Sequence, residues 1–217
     1  MEWRLLADVP AADVRELLQV ARRRTFSRGE VVFHRDDPGD SLHLIVKGRF
    51  AIRVMTPLGD TATIAVRGPG ESFGELALVS EEARRAATVA ALQEAETRAI
   101  YRTDFERLRR QHASINQVLI TFLASEVRML NERLLEALYL PAEHRVLRRL
   151  VELVELYPPS DQEAVVPLTQ EELAELAGTS RATVNQVLRA EEKRGTLELR
   201  RGRTIVREPD ALSKRAR

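Results

Sequence analysis

One short segment combines a glycine, a carboxylate and an arginine, which together have the chemistry to bind an anionic sugar phosphate. Gly74 lets a backbone approach a ligand closely, and a short helix beginning there would aim free N–H groups at a phosphate. Glu75 can accept a hydrogen bond from a ribose hydroxyl, and Arg85 can neutralise a cyclic phosphate with two parallel hydrogen bonds. Each residue alone is ordinary on a protein surface, so the prediction depends on their combination. The two runs of the segment read Phe73-Gly74-Glu75-Leu76-Ala77-Leu78-Val79 and Arg84-Arg85-Ala86-Ala87-Thr88-Val89.

A second segment has the pattern of a helix-turn-helix. Thr169 and Glu172 have the spacing of a capping box that begins a first helix, and Gly178-Thr179 follows as the turn. Ser180 can cap a second helix over Arg181–Lys193. The positions predicted to be buried are Leu173, Leu176, Ala177, Val184, Val187 and Leu188.

Beyond this segment, two short apolar runs predict a β-hairpin, the wing of a winged helix. They are Leu197–Leu199 and Thr204–Val206, and they flank Arg201-Gly202-Arg203. A basic surface is predicted here although the net charge of the chain is only +1. The alternative is a helical hairpin with a solvated basic face. The basic residues are Arg181, Arg189, Lys193, Arg194, Arg200, Arg201, Arg203 and Arg207, against Glu191, Glu192 and Glu198.

Apolar residues recur between Asn116 and Ala137 at alternating spacings of three and four, which predicts a coiled-coil seam. Charged flanking residues favour pairing with a second copy, so a homodimer is expected. The alternative is an amphipathic helix packed on its own domain. The residues of the seam are Ile120, Leu123, Val127, Leu130, Leu134 and Ala137.

The remaining elements must position these segments. A helix is predicted over Pro10–Arg24, and Thr103 resembles the cap of another helix. Leu140-Pro141 predicts a hinge, since proline disfavours a helical conformation in the residue before it. A helix over Ala142–Leu156 and a strand over Val165–Leu168 should follow. Runs typical of strands in an all-β roll are Glu30–His34, Leu42–Ile45, Phe50–Val54, Thr61–Val66 and Thr97–Tyr101.

Composition sets limits on the class of protein. With 217 residues, of which 44% are hydrophobic and 31% charged, the chain is expected to fold into two units. It contains no Cys, which excludes disulfides, thiolate zinc sites, cysteine nucleophiles and iron–sulfur ligation. No run of about eighteen uncharged apolar residues occurs, so neither export nor a membrane span is predicted and a cytoplasmic location fits. His34, His43, His112 and His144 lack the spacing of metal ligands, so neither a metal site nor catalysis is expected.

The first segment resembles the phosphate-binding cassette of cyclic-nucleotide-binding domains, as found in the Crp/Fnr family of bacterial regulators. Its stretch from Arg85 to Val89 looks even more like the cassette of the regulatory subunits of cAMP-dependent protein kinase. The resemblance implies that Gly74, Glu75, Leu76 and Ala77 line the ribose and phosphate, and that Arg85 and Ala86 contact the phosphate.

Two departures from the family pattern bear on the base of the nucleotide. Ala86 replaces the Ser or Thr that is common in bacterial members, which leans toward cAMP because cGMP-preferring domains often use that hydroxyl. The family also uses a polar pair on its dimer helix to reach adenine, and Leu130 and Asn131 hold those positions. Only Asn131 can bond the exocyclic amine; its alternative is a solvated helix residue.

The helix-turn-helix also resembles that of the Crp/Fnr family, through Ser180-Arg181-Ala182-Thr183-Val184. In that family an arginine at the position of Arg181 reads guanine, as bidentate arginine chemistry allows. Ala182 and Gln186 stand where Glu and Arg are frequent, so a different half-site is expected. The predicted DNA contacts are Arg181, Ala182, Thr183, Asn185, Gln186, Arg189, Arg201 and Arg203.

Together these features predict an α+β protein with an N-terminal β-roll (1–110), a dimerisation helix and hinge (111–140) and a winged helix-turn-helix (141–217). The expected function is that of a cAMP-responsive, homodimeric transcription regulator that binds a near-palindromic DNA operator and meets RNA polymerase. A ligand-independent or differently liganded regulator and a cyclic-nucleotide-processing enzyme are the alternatives. A haem sensor would need a well-placed axial ligand.

Overall fold

A computed structural model describes residues 2–7, 9–56, 59–79, 84–158 and 163–216. Within these ranges, the side chains of Ala77, Val79, Ala113, Gln117 and Val118 lie outside the described part. The helices, after a 3-10 turn over Arg4–Leu6, are α1 (Ala11–Val20), α2 (Leu76–Val79), α3 (Arg102–Gln111), α4 (Ala113–Tyr139), α5 (Ala142–Leu156), α6 (Gln170–Ala177), α7 (Arg181–Lys193) and α8 (Pro209–Arg215). The strands are β1 (Arg22–Phe26), β2 (Val31–Phe33), β3 (Ser41–Lys47), β4 (Phe50–Met55), β5 (Thr61–Arg67), β6 (Ser72–Phe73), β7 (Thr88–Ala91), β8 (Ala95–Tyr101), β9 (Ala164–Val166), β10 (Leu197–Arg200) and β11 (Arg203–Val206).

The chain divides into two units, one of residues 1–55 and 65–129 and one of residues 56–64 and 130–217. Two four-stranded sheets have the orders β1-β8-β3-β6 and β2-β7-β4-β5, and their strands lie in the first unit apart from residues 61–64 of β5. Both sheets contribute to one buried apolar cluster, so they pack face to face as a β-roll. The members of this cluster are Phe26, Ile45, Phe50, Phe73, Val89, Ala91 and Ala95.

The helix predicted over Pro10–Arg24 is wrong in its last part. α1 ends at Val20, Ala21 is extended with a ψ of 127°, and Arg22 to Phe26 form β1. Pairing with β8, Arg22 opposite Ala99, supplies the backbone partners that the helix would have supplied. The spacing of apolar residues could not show this, because a run of exposed arginines suits a helix surface and an edge strand equally.

Two further expectations need correction. Thr103 is not a helix cap: α3 begins at Arg102, Tyr101 precedes it without a side-chain cap, and Thr103 lies inside the first turn. The strand predicted over Val165–Leu168 is shifted toward the N-terminus and covers Ala164–Val166, because those residues pair with β11. The break at Leu140-Pro141 is present, since α4 ends at Tyr139 and Pro141 is the N-cap residue of α5.

Helix α4 has one buried face and one open face. Ile115 and Leu119 join the apolar core of the first unit. On the seam, Ile120, Val127, Leu130 and Leu134 are each more than half exposed. The seam is therefore not used for packing within the described chain. An open apolar stripe of this length has the character of an interface rather than of a solvated surface.

The second unit contains α5 to α8 and a sheet of order β10-β11-β9. The capping box at Thr169 is present, with the Glu172 N–H donating to the Thr169 hydroxyl at 3.2 Å. Gly178 ends α6 in the left-handed region at φ +60°, and the Ser180 hydroxyl accepts from the Thr183 N–H at 3.1 Å to begin α7. The six positions predicted to be buried are buried. These findings confirm the winged helix-turn-helix.

Helix α8 was not predicted from the sequence, and it supports α7. Leu212 is fully buried, and the carboxylate of Glu191, only 1% exposed, lies inside this unit. That carboxylate accepts from the Thr196 hydroxyl at 2.7 Å, from Arg194 at 2.7 Å and from Arg215 of α8. No described helix is long and apolar enough to cross a membrane.

Candidate nucleotide pocket and DNA-binding surface

Gly74 lies between β6 and α2, and its backbone conformation requires glycine. Its φ is +87°, and a methyl group there would come within 2.8 Å of both Arg85 Nη1 and the Ser41 carbonyl oxygen. The sequence predicted a close approach at Gly74, and in the structure the Arg85 guanidinium is one of the groups that approach it. A substitution here would displace Arg85 as well as strain the backbone.

The Arg85 side chain is only 3% exposed and is held by several groups. Nη1 donates to the carbonyl oxygens of Ser41 at 2.6 Å and Gly74 at 3.4 Å. Nη2 donates to the Ser41 hydroxyl at 2.8 Å and to Asp40 Oδ1 at 3.2 Å. The ring of Phe33 covers one face, 3.9 Å from Arg85 Cζ. The guanidinium therefore has a fixed orientation.

One donor of Arg85 has no acceptor. Among the described residues, Nε of Arg85 is buried and makes no hydrogen bond. Leaving a buried N–H unsatisfied is costly, so such an atom indicates a missing acceptor. The edge formed by Nε and Nη2 is the one that binds a phosphate or carboxylate through two parallel bonds.

Glu75 follows Gly74, and several nearby charges shift the pKa of its carboxyl group. Burial raises the pKa of the Glu75 carboxyl above its ordinary value, and the Glu126 carboxylate on α4 raises it further, while Arg67 and Arg85 lower it. Arg67 bonds both oxygens of Glu126 at 2.7 and 2.8 Å. The candidate pocket is thus linked electrostatically to the first part of α4.

The other predicted ligand contacts are placed as follows. Leu76 begins α2 and is 42% exposed, and Ala86 is exposed beside Arg85. α2 has four residues, so it is shorter than a helix that could supply a strong dipole. The side chain of Ala77 and residues 80–83, within the predicted segment, lie outside the described residues. Leu130 and Asn131 are exposed on α4.

Sequence reasoning missed the residues that surround Arg85. Asp40, Ser41 and Phe33 precede it by 44 to 52 positions, and Asp40 lies in the turn between β2 and β3. Backbone bonds join that turn to Arg85, from Asp36 N to Arg85 O and from Arg85 N to Asp37 O, each 2.9 Å. The available signal for these partners was an acidic residue, Asp40, directly before the strand β3.

His43 is a buried neighbour of this network. Its ring stacks on Phe73 with centroids 4.9 Å apart, and its nitrogens lie 3.0 Å from the Thr97 hydroxyl and 3.3 Å from the Ser41 hydroxyl. Burial lowers the pKa of His43 to about 3, and the positive charge of Arg85 adds to this. His43 is therefore neutral in the folded protein near neutral pH.

The buried His43 predicts a pH dependence of folding. The unfolded chain takes up a proton at His43 below its ordinary pKa of 6.5, whereas the folded chain does so only near a pKa of about 3. Because the unfolded state binds more protons in this window, the free energy of unfolding should fall with decreasing pH, by at most ~1.4 kcal/mol per pH unit from this group. Urea denaturation of wild type and His43→Gln at several pH values measures the slope. The variant should be less stable near pH 8 but lose less stability on acidification; parallel profiles would contradict the assignment.

The second candidate surface lies between α7 and the hairpin of β10 and β11. A groove of about 520 Å³ is lined by Arg181 at the start of α7, Arg201 in the turn of the hairpin and Arg203 at the start of β11. Asn185 lines the same groove and donates to Gln170 at 3.2 Å. Ala182, Gln186 and Arg189 are also exposed on α7, while Thr183 is half-buried with its hydroxyl 3.0 Å from that of Ser180.

Ion pairs divide the basic residues of this surface into two groups. Arg189 pairs with Glu192 at 2.8 Å, Arg194 with Glu191 at 2.7 Å and Arg200 with Glu198 at 2.6 Å, and Arg207 also pairs with Glu198. In the part of the chain that the structure describes, Arg181, Arg201 and Arg203 have no carboxylate partner. Their positive charge is concentrated at the groove, where it favours a polyanion.

Comparison with known proteins finds two domain families in the chain. The family described as "Cyclic nucleotide-binding domain" matches residues 23–112, and the "Crp-like helix-turn-helix domain" matches residues 144–215. The "Cyclic AMP receptor protein" of Thermus thermophilus is 33% identical over 198 residues, covering 90% of this chain and 88% of that protein. The "CRP-like cAMP-activated global transcriptional regulator" of Mycobacterium tuberculosis is 32% identical, covering 88% and 87%.

A solved structure shares the fold at lower sequence identity. The "c-di-GMP Responsive Global Regulator CLP" of Xanthomonas campestris superposes with a TM-score of 0.77 at 21% identity, covering 91% of this chain and 99% of that one. The matched families and the full-length relatives agree with the β-roll and the winged helix-turn-helix described above. The chain therefore belongs to the Crp/Fnr family of DNA-binding transcription regulators.

Proposed function

We propose that this protein is a cAMP-responsive transcription regulator that acts as a homodimer on a near-palindromic DNA operator. The observation that carries the ligand assignment is the buried Arg85, whose Nε has no acceptor among the described residues and lies on an edge suited to a phosphate. Glu75 lies within electrostatic reach of Arg85 and can accept from a ribose hydroxyl. Two relatives that span most of the chain are named for cAMP. As in the prediction from sequence, Gly74, Leu76, Ala77 and Ala86 complete the ribose and phosphate contacts.

Residues on α4 and beside Arg85 bear on which base the nucleotide carries. Asn131 is exposed on α4 and free to bond an exocyclic amine, while Leu130 beside it offers only apolar surface. Ala86 brings no hydroxyl to the purine. Both features favour adenine over guanine.

The open seam of α4 supports the proposed homodimer. Its exposed side chains repeat at the spacing of a two-stranded coiled coil. Two copies would present two α7 helices to successive major grooves, about one DNA turn apart. The proposal keeps the three predicted segments, with boundaries at residues 110 and 140. It also places the protein in the cytoplasm, with RNA polymerase as a partner and without catalytic activity.

One arginine joins the proposed hinge to the DNA-binding turn. Arg145 of α5 donates to the carbonyl oxygen of Leu140 at 2.9 Å, of Ala177 at 3.1 Å and of Gly178 at 3.0 Å. The same side chain therefore bonds both the proposed hinge and the turn before α7, and we propose that a change in the hinge reaches the turn through it. Ligand binding can act by shifting the population of such arrangements.

DNA binding at fixed salt, with and without cAMP, tests the proposal. We expect tighter binding to a selected operator with cAMP than without it. Equal affinity would instead favour a ligand-independent regulator. Adding c-di-GMP or cGMP in parallel tests a differently liganded regulator, the second candidate, which the name of the Xanthomonas campestris protein motivates. Hydrolysis of cAMP during the assay would favour the enzyme alternative.

Arg181 and Arg203 should differ in their effects on DNA recognition. Arg181→Ala should weaken the free energy of DNA binding by about 1–3 kcal/mol and relax the sequence preference at one base pair. The reason is that an arginine at the start of a recognition helix can bond guanine at two atoms. Arg203→Ala should weaken all sequences alike, since a phosphate contact carries no sequence information. Selection from random duplexes with each variant measures this. If Arg181→Ala lowers the affinity for all DNA sequences equally, Arg181 contacts phosphate and not a base. If Arg203→Ala changes the selected DNA sequence, Arg203 contacts a base and not phosphate.

A further inference from the structure

Asp40 places a negative charge at the position where the proposed phosphate would bind. Its Oδ1 lies 3.2 Å from Arg85 Nη2 and also accepts from the Ser41 hydroxyl at 2.9 Å. The side chain of Asp40 is 66% exposed, whereas that of Arg85 is 3% exposed. The carboxylate therefore covers the guanidinium from the solvent side.

An anion that uses two parallel bonds to Arg85 must take Nε and Nη2. Nε has no acceptor among the described residues, but Nη2 already donates to two: the Ser41 hydroxyl and Asp40. The Ser41 contact is the shorter one and is buried, so it is the harder to replace. The Asp40 contact is the longer one and opens to water, where a released carboxylate is readily solvated.

The orientation of Arg85 does not depend on Asp40. The carbonyl oxygens of Ser41 and Gly74, the Ser41 hydroxyl and the ring of Phe33 hold the guanidinium from other directions. The main chain of Asp40 is itself fixed, because its carbonyl oxygen accepts from the Arg102 N–H at 2.7 Å. Release of the carboxylate therefore needs rotation of one exposed side chain and loss of its bond from the Ser41 hydroxyl.

We propose that Asp40 is an internal competitor of the nucleotide, whose carboxylate neutralises Arg85 in the ligand-free protein and is displaced by the cyclic phosphate. This inference rests on the proposed function. Asp40 lowers the affinity in two ways, since it must leave Nη2 and since its charge then repels the bound phosphate. Asp40 thus sets the nucleotide concentration at which the regulator responds.

Titration calorimetry with cAMP on the full-length dimer tests this inference. Asp40→Asn keeps the size of the side chain and removes its charge. The variant should bind cAMP about 3- to 10-fold more tightly, the effect expected of one charge contact that solvent partly screens. The matched control is Glu94→Gln, which removes one exposed carboxylate from the turn between β7 and β8 of the same unit. Glu94→Gln should bind cAMP like wild type, which separates a local effect from a change in net charge.

Adenosine provides a second comparison, because it lacks the phosphate. Its affinity should be the same for wild type and Asp40→Asn. If wild type binds cAMP and Asp40→Asn binds it equally or more weakly, Asp40 is not a competitor, while the proposed function stands. An equal gain for adenosine, or for Glu94→Gln, also overturns the inference. If wild type binds no cAMP, the proposed function fails and this inference fails with it.

Discussion

Arg85→Lys is expected to lower the affinity for cAMP by about 30- to 100-fold, the equivalent of the ~2–3 kcal/mol that a charge-assisted bidentate contact contributes. Lysine keeps the positive charge but cannot present two parallel N–H groups to one phosphate. It also cannot reach the carbonyl oxygens of Ser41 and Gly74 and the Ser41 hydroxyl together, as Arg85 does. The orientation of the cation is therefore lost along with one of its bonds.

Calorimetry measures this loss, and thermal unfolding of the variant must accompany it because Arg85 is buried. Arg84→Lys is the matched control, since Arg84 is the exposed neighbour and donates to the Asp36 carbonyl oxygen at 2.8 Å. It should bind cAMP like wild type. A folded Arg85→Lys protein whose cAMP affinity is unchanged would place the ligand elsewhere. DNA binding that ignores both cAMP and Arg85 would favour a ligand-independent regulator.

Leu134→Glu is expected to convert the proposed dimer to a monomer at micromolar concentration, with a dissociation constant raised by about 100-fold or more. Leu134 is 57% exposed in the single chain and lies on the seam of α4, so a partner helix would cover it. The substitution removes apolar contact in both copies and places two carboxylates together in an apolar interface. Affinity for a palindromic operator should fall in parallel, because each α7 would then bind one half-site alone.

Sedimentation equilibrium and DNA titration measure these two effects. Thr121→Glu is the matched control, because it adds the same charge at an exposed position of α4 that is not part of the seam. It should remain dimeric. If Leu134→Glu also remains dimeric, the seam is not the interface, and α4 presents its apolar face to another partner.

Local chemistry made the DNA-binding segment predictable from the sequence. A hydroxyl at Thr169 or Ser180 can cap only the helix that follows it, and Gly178 is suited to the left-handed turn that it adopts. Each of these signals lies within a few residues of the structure that it sets. The apolar spacing of α4 could be read for the same reason, because it is a property of one helix, whereas its pairing with a second copy stays a prediction.

Pairing across the chain accounts for what the sequence did not show. The arginines of β1 gain their structure from β8, some seventy residues later, and no pattern within Pro10–Arg24 contains that information. The importance of Arg85 could be inferred from its type, whereas its partners Asp40 and Ser41 required the fold. Helix α8 was overlooked because seven residues carry too little periodicity to be recognised.

Because α8 supports Glu191, mutations in this helix should inactivate the protein. A nonsense codon after Val206 would spare every proposed DNA contact and yet remove Leu212 and Arg215. Glu191 would then lose one of the cations that bond its carboxylate, and the apolar core would lose Leu212, a kind of loss that typically costs about 2–5 kcal/mol. Loss-of-function alleles of this regulator should therefore map not only to the proposed DNA contacts but also to α8, which contains none of them.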